Sequence, residues 1–143
     1  MQVSNNLLDL CPMNFRVKVF ILLFIFSGIA SFSQSYESYH PDGKVKVRGM
    51  KINGLKAGTW TWYFPDGGIK VTGHYVRGKR NGIFTWFFVD GSKNYEGEYK
   101  EDISNGTFKF FKKNGKPEAI GSLFNEVKQD KWEWYFDNGK TME

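Results

Sequence analysis

Apolar and polar positions alternate with a period of two along most of the chain after residue 39. In the segment 67–90, residues 69–75 place apolar side chains or glycine at odd positions, and residues 84–88 place aromatic rings at 84, 86 and 88. This alternation is typical of β-strands with one buried face. Asp-Gly or Asn-Gly pairs separate the runs, and both residue types tolerate the positive φ of hairpin turns. The pattern therefore predicts a series of β-hairpins.

The hairpin pattern recurs every 24 residues. Two sets of glycines follow this spacing: Gly43, Gly67, Gly91, Gly115 and Gly139 at the turns, and Gly49, Gly73, Gly97 and Gly121 within strands. A period held over four units indicates repeats that stack on one another. We predict an all-β fold, a single elongated, twisted antiparallel meander of about four tandem β-hairpin repeats. The predicted repeats span residues of about 39–62, 63–86, 87–110 and 111–134, with a partial repeat at 135–143.

Departures from the repeat are concentrated toward its C-terminal end. Asp102 and Glu126 stand where earlier repeats have the turn glycines Gly54 and Gly78, and Pro117 enters a strand. Terminal repeats are often atypical because they cap a stack. Proline, which has no N–H to donate, suits an edge strand or the first residue of a strand.

Stacking the repeats in register produces two aromatic columns on one face of the predicted sheet. The columns are Trp60, Phe84, Phe108 and Trp132, and beside them Trp62, Trp86, Phe110 and Trp134. The intervening residues point to the other face, which we expect to be exposed to solvent; they are Thr61, Thr85, Lys109 and Glu133. The strand glycines lie on the aromatic side, where we expect them to make room for the rings.

The eight aromatic residues have two interpretations. They form the core of a sheet that coils tightly enough for its rings to cover one another, or they form a platform that receives a partner's apolar groups. Tryptophan and tyrosine contribute most to such interfaces. We take all eight as candidate partner-binding residues.

An apolar run precedes the repeats. Residues 19–30 follow Arg16 and Lys18 and precede the small residues Ser31 and Ser33. The run is shorter than the roughly twenty residues that a membrane-spanning helix needs. We therefore predict a signal peptide at residues 1–33, with Met13 as an alternative initiator, and a repeat domain at residues 34–143. The protein is accordingly expected in the periplasm, in the cell envelope or outside the cell.

The chain shows none of the usual sequence signatures of catalysis. Its single cysteine, Cys11, precedes the apolar run, and His40 and His74 fall in different columns of the repeat. No metal-ligand spacing, phosphate loop or nucleophile motif is present. Asp42, Asp66 and Asp90 recur at one corner and could form a cation ladder, but Asn114 and Asn138 occupy the same corner, which favours turn chemistry. We predict no enzymatic activity, no cofactor and no metal.

The distribution of charge along the chain indicates which classes of partner to expect. The formal net charge of +5 is spread along the repeats, whereas nucleic-acid binding favours a basic stripe. Lysines also protect exposed strand edges from pairing with other chains. Nucleic acid is therefore not an expected partner.

Three motifs carry a resemblance to a known family. They are Tyr-Phe-Pro-Asp-Gly at residues 63–67, Gly-x-Tyr at 73–75 and Gly-Lys-x-x-Gly at 78–82. Over about residues 39–139 the chain resembles the MORN repeat in its bacterial variant form. The resemblance implies an elongated sheet of β-hairpins that serves protein–protein interaction, scaffolding, dimerisation or phospholipid binding. It also implies the antitoxin-like label that many bacterial proteins with such repeats carry.

These observations predict an exported, non-enzymatic repeat module for protein–protein binding or scaffolding. Two alternatives remain open. The rings and flanking lysines could bind envelope polysaccharide or anionic lipid, or the chain could be an antitoxin-like neutralising protein of a toxin–antitoxin system. A homodimer formed through the terminal hairpins also stays open.

Overall fold

The computed structural model describes residues 32–142, which form one open antiparallel β-sheet without a helix. The strands within this part of the chain are β1 (Ser33–Tyr39), β2 (Val45–Ile52), β3 (Leu55–Tyr63), β4 (Ile69–Val76), β5 (Lys79–Arg80), β6 (Gly82–Phe87), β7 (Lys93–Lys100), β8 (Ile103–Phe111), β9 (Pro117–Phe124), β10 (Val127–Tyr135) and β11 (Thr141–Met142). Each strand pairs with the next along the chain, except that both β5 and β6 pair with β4. The predicted all-β hairpin meander is confirmed. Pro117 is the first residue of β9, one of the two positions expected for it.

One end of every hairpin is closed by a two-residue turn. The turn residues are Asn53 and Gly54, Arg77 and Gly78, Glu101 and Asp102, and Asn125 and Glu126, and all of them have positive φ. Two consecutive residues with positive φ define the type I′ turn, whose twist matches that of the flanking strands. Asp102 and Glu126 therefore adopt the left-handed conformation that glycine adopts in the earlier repeats.

The turns that link successive hairpins use their acidic and amide residues differently from our expectation. Only the glycine of each pair has positive φ there, for example Gly67 at 97°. The preceding Asp66 accepts a hydrogen bond from the backbone N–H of Gly68 at 2.8 Å. Equivalent bonds are Lys44 to Asp42, Ser92 to Asp90, Lys116 to Asn114 and Lys140 to Asn138. Aspartate and asparagine are thus interchangeable because each supplies an acceptor oxygen two residues before the donor.

The strand glycines make room for the large rings, as predicted. Trp60 is paired with Gly73 across the sheet, and Phe84 with Gly97. A methyl group added at Gly73 would lie 2.5 Å from Phe84 Cγ. Three of the rings over this glycine column, those of Trp60, Phe84 and Phe108, form the core together with Tyr99, Val47 and Ala119.

The face opposite the aromatic columns is not uniformly polar. Strand alternation places on it an apolar row that flanks the type I′ turns, termed here the turn ridge: Ile52, Leu55, Val76, Ile103, Phe124 and Val127, all exposed. Thr85, also on this face, is buried. The polar pattern of the central positions does not extend to the strand ends.

The sheet begins before the first predicted repeat. Strand β1 begins at Ser33, and its Tyr36 stands 24 residues before Trp60, with the two ring centroids 5.3 Å apart. The predicted signal peptide, with Met13 and Cys11, lies almost entirely outside the described residues.

Candidate binding groove on the aromatic face

The eight predicted aromatic residues separate into two groups by burial. Trp60, Phe84 and Phe108 of the inner column are 1%, 2% and 5% exposed. Trp62, Trp86 and Phe110 of the outer column are half-buried, as is Trp132, and Trp134 is 47% exposed. The rings of the outer column are therefore the accessible ones.

Three tyrosines that we did not single out complete the ring network. Tyr75 packs edge-on against Phe84 at 5.3 Å between centroids, and Tyr99 packs edge-on against Phe84 at 5.5 Å. Tyr95 stacks on Trp86. The signal for Tyr75 and Tyr99 in the sequence is their 24-residue spacing on the aromatic face, which places an edge-on ring in each of two successive repeats.

A groove opens on the aromatic face over strands β3, β4, β5 and β6. Its volume is about 460 Å³. The lining residues are Trp62, Lys70, Val71, Tyr75, Arg80, Phe84 and Trp86. None of these described residues is acidic, so the groove is apolar with a cationic rim. Ligand sites commonly combine apolar walls with a few polar groups in this way.

Cations lie over several rings of the aromatic face, and two of them, Lys56 and Arg80, occupy equivalent positions of successive repeats. Lys56 Nζ is 4.7 Å from the Tyr75 centroid and 4.6 Å from that of Trp60, and Arg80 Cζ is 4.1 Å from that of Tyr99. Burial, followed by repulsion from Lys51, lowers the pKa of Lys56. Lysine and arginine are attracted to ring faces, which draws positive charge onto this side of the sheet.

Arg80 is also fixed by the next hairpin. Its backbone N–H donates to Asp102 Oδ1 at 2.9 Å, and its Nη2 donates to the Asp102 carbonyl at 2.8 Å. The backbone bond, followed by a bond from Arg80 Nε to the same carboxylate oxygen at 3.2 Å, lowers the pKa of Asp102. The guanidinium is therefore held at the groove with one side over Tyr99.

The histidines and carboxylates do not assemble into a reactive cluster in the part of the chain that the structure describes. His40 Nε2 donates to the Tyr63 carbonyl at 3.1 Å, an assignment that follows because a carbonyl only accepts. His74 is exposed on the opposite face. Within residues 32–142 no group of three or more metal-ligating side chains is close enough to hold a metal ion. No helix of these residues is long and apolar enough to cross a membrane.

Comparison with known families supports the class of protein that the fold suggests. The family model of the MORN repeat variant matches residues 56–77, from β3 to the turn that follows β4. This protein is therefore built from β-hairpin repeats and carries a MORN repeat variant within them. MORN repeats are generally non-catalytic modules that bind proteins or membranes. No curated protein matches the chain.

Proposed function

We propose that this chain is a non-enzymatic repeat module that binds a protein partner through the outer aromatic column. The observation that carries the proposal is the groove between Trp62 and Trp86, in which half-buried rings meet a cationic rim. Tryptophan, tyrosine and arginine are the residues that contribute most to protein interfaces, especially where neighbouring contacts exclude water. The buried rings of the inner column pack beside the outer rings and hold them in position.

Quantitative capture of a partner tests this function. The full chain is immobilised beside a Trp86→Ala variant and an Ile83→Ala variant, whose side chain is 61% exposed on the opposite face. We expect one envelope protein to be retained by the wild type and by Ile83→Ala. Loss of a central aromatic contact should weaken its binding by about tenfold or more. Equal retention by both variants, or retention of no protein, would contradict the proposal.

A second candidate function is contact with anionic lipid through the turn ridge. Its apolar side chains are exposed, and Lys79 and Lys100 lie among them as partners of Val76 and Ile103. Exposed apolar residues with flanking lysines suit an anionic membrane surface. Flotation with phosphatidylglycerol vesicles, abolished by Leu55→Ser and Phe124→Ser but not by Trp86→Ala, would favour this function. If the two serine substitutions leave flotation unchanged, the turn ridge is excluded as the lipid-binding surface.

Envelope polysaccharide is the corresponding alternative ligand for the groove. Retention on polysaccharide that falls with Trp62→Ala and Trp86→Ala, and not with Ile83→Ala, would favour it over a protein partner. Sugar rings stack on tryptophan through their apolar faces, so the same side chains serve both alternatives. The identity of the retained molecule therefore separates them.

We further propose that the repeat domain acts after export. The support is the basic and apolar pattern of residues 16–33. Mass spectrometry of the protein from fractionated cells should find an N-terminus near residue 34 in the envelope or medium. An intact Met1 or Met13 terminus in the cytoplasm would contradict export. In that case the antitoxin-like role becomes testable as rescue of cells from a neighbouring toxin by a form that lacks residues 1–33.

A further inference from the structure

Two equivalent positions on the aromatic face carry different residues. Val71 pairs with Trp62 on one side and with Trp86 on the other. Tyr95 lies 24 residues later and pairs with Trp86 and Phe110. Residues 71 and 95 therefore each lie between two rings of the outer column. Position 95 carries a tyrosine ring, whereas position 71 carries valine.

Tyr95 shows what the space between two outer rings accommodates. Its ring centroid is 4.0 Å from that of Trp86 at an interplanar angle of 10°, and 5.4 Å from that of Phe110 at 19°. Trp62 and Trp86 are likewise two strand spacings apart, about 9.6 Å, which admits one stacked ring. Valine is too small to fill this space. The groove of about 460 Å³ opens at this point.

The surroundings of the two positions match. Tyr75 beside Val71 corresponds to Tyr99 beside Tyr95, and each of these tyrosines has a cation over its ring. Burial, followed by the neighbouring Tyr99 and a hydrogen bond with its side chain, raises the pKa of Tyr95. A tyrosine stacked over Val71 would find Tyr75 in the position from which Tyr99 meets Tyr95.

The space between Phe110 and Trp134, the next two rings of the outer column, is closed. Ala119 pairs with Phe110 and Trp134, yet it is only 1% exposed. Trp132 contacts Phe110 there at 6.0 Å between ring centroids. The opening over Val71 is thus a local feature of one repeat and not a general property of the sheet.

We propose that the slot between Trp62 and Trp86, with Val71 as its floor, binds a tyrosine side chain of the protein partner. The proposal rests on the proposed function, because it names the group that the partner inserts. Lys70 and Arg80 line the slot without an acidic residue among its lining. The chain itself carries a net charge of +5. Charge complementarity therefore selects a tyrosine within an acidic segment of a different protein over a second copy of this chain.

Titration with a minimal probe tests the slot directly. N-acetyltyrosinamide is added to isotope-labelled full chain, and N-acetylleucinamide is the control. We expect saturable shifts of the Val71 methyl and of the Trp62 and Trp86 indole resonances with the tyrosine probe alone. Val71→Tyr fills the slot as Tyr95 does and should abolish the shifts, whereas Val71→Ile leaves the slot open and should keep them. Absent shifts, shifts that survive Val71→Tyr, or equal shifts with the leucine probe would overturn the proposal.

Two further comparisons separate the slot from the broader function. Saturable shifts at the same residues with chitohexaose, and none with the tyrosine probe, would overturn the tyrosine assignment and favour carbohydrate. Capture of the partner that is lost in Trp86→Ala but unchanged in Val71→Tyr would refute the slot while the protein-binding function stands. Capture unchanged in both variants would refute the function itself. The wild-type titration decides the proposal even if Val71→Tyr does not fold.

Discussion

The contact between Gly73 and Phe84 predicts a specific loss of stability. Gly73 is a buried strand residue without positive φ, so its backbone conformation is open to alanine, which strands favour over glycine by roughly 0.5–1 kcal/mol. The added methyl, however, would lie 2.5 Å from Phe84 Cγ, the base of a ring that cannot swing aside. Tyr75 and Tyr99 pack edge-on against that ring at 5.3 and 5.5 Å.

Gly73→Ala should therefore be destabilising despite the better strand preference of alanine. Overpacking of a core typically costs about 1–3 kcal/mol, and the severity of this contact places the net loss near 2 kcal/mol. For a domain of this size that loss lowers the melting temperature by about 9 °C. Thermal unfolding and urea titration, followed by circular dichroism and tryptophan fluorescence, measure the difference.

Two controls test whether the ring is the cause. Gly68→Ala, at an exposed position without positive φ, should change the free energy of unfolding by less than about 0.5 kcal/mol. In a Phe84→Leu background the cost of Gly73→Ala should fall by about 1 kcal/mol or more. A Gly73→Ala variant as stable as the wild type, or an undiminished cost in the Phe84→Leu background, would refute the steric explanation.

Three further outcomes are expected in the same unfolding assays. Trp60→Ala should cost about 3–5 kcal/mol and Trp134→Ala about 1 kcal/mol, since the two side chains are 1% and 47% exposed; equal losses would contradict the core assignment. Glu126→Gly should add about 0.5–1 kcal/mol, because Glu126 has φ of 67°; no gain would mean that its side chain makes a compensating contact. Hydrogen bonds from Ser92, that of its hydroxyl first, lower the pKa of Asp90. The stability that these bonds contribute is therefore present above the unfolded-state pKa of Asp90 and is lost as the pH falls through its folded-state pKa. Asp90→Asn keeps the acceptor oxygen without titrating, and it should reduce the loss of stability between about pH 5 and about pH 2; an unchanged loss would assign the acid sensitivity to other carboxylates.

Much of the fold follows from local chemistry that the sequence displays. The alternation of apolar and polar residues predicts strands, and the 24-residue spacing of glycines predicts that the hairpins repeat in register. The glycine column could be assigned to the aromatic rings because residues 24 apart must occupy equivalent places. Asp42 and its equivalents were assigned to turns on the same basis, although the reason for them is the hydrogen bond to the residue two positions later.

Which aromatic rings are accessible was decided by the tertiary structure alone. A period of two assigns each side chain to a face, but its exposure depends on what the neighbouring strands place beside it. Trp60 and Trp62 illustrate this, because both point to one face and yet only Trp60 lies in the core. The opening over Val71 likewise depends on the two rings that flank it across the sheet, Trp62 and Trp86. The sequence by itself determined the repeat and its register, whereas the packing between strands determined which rings remain exposed.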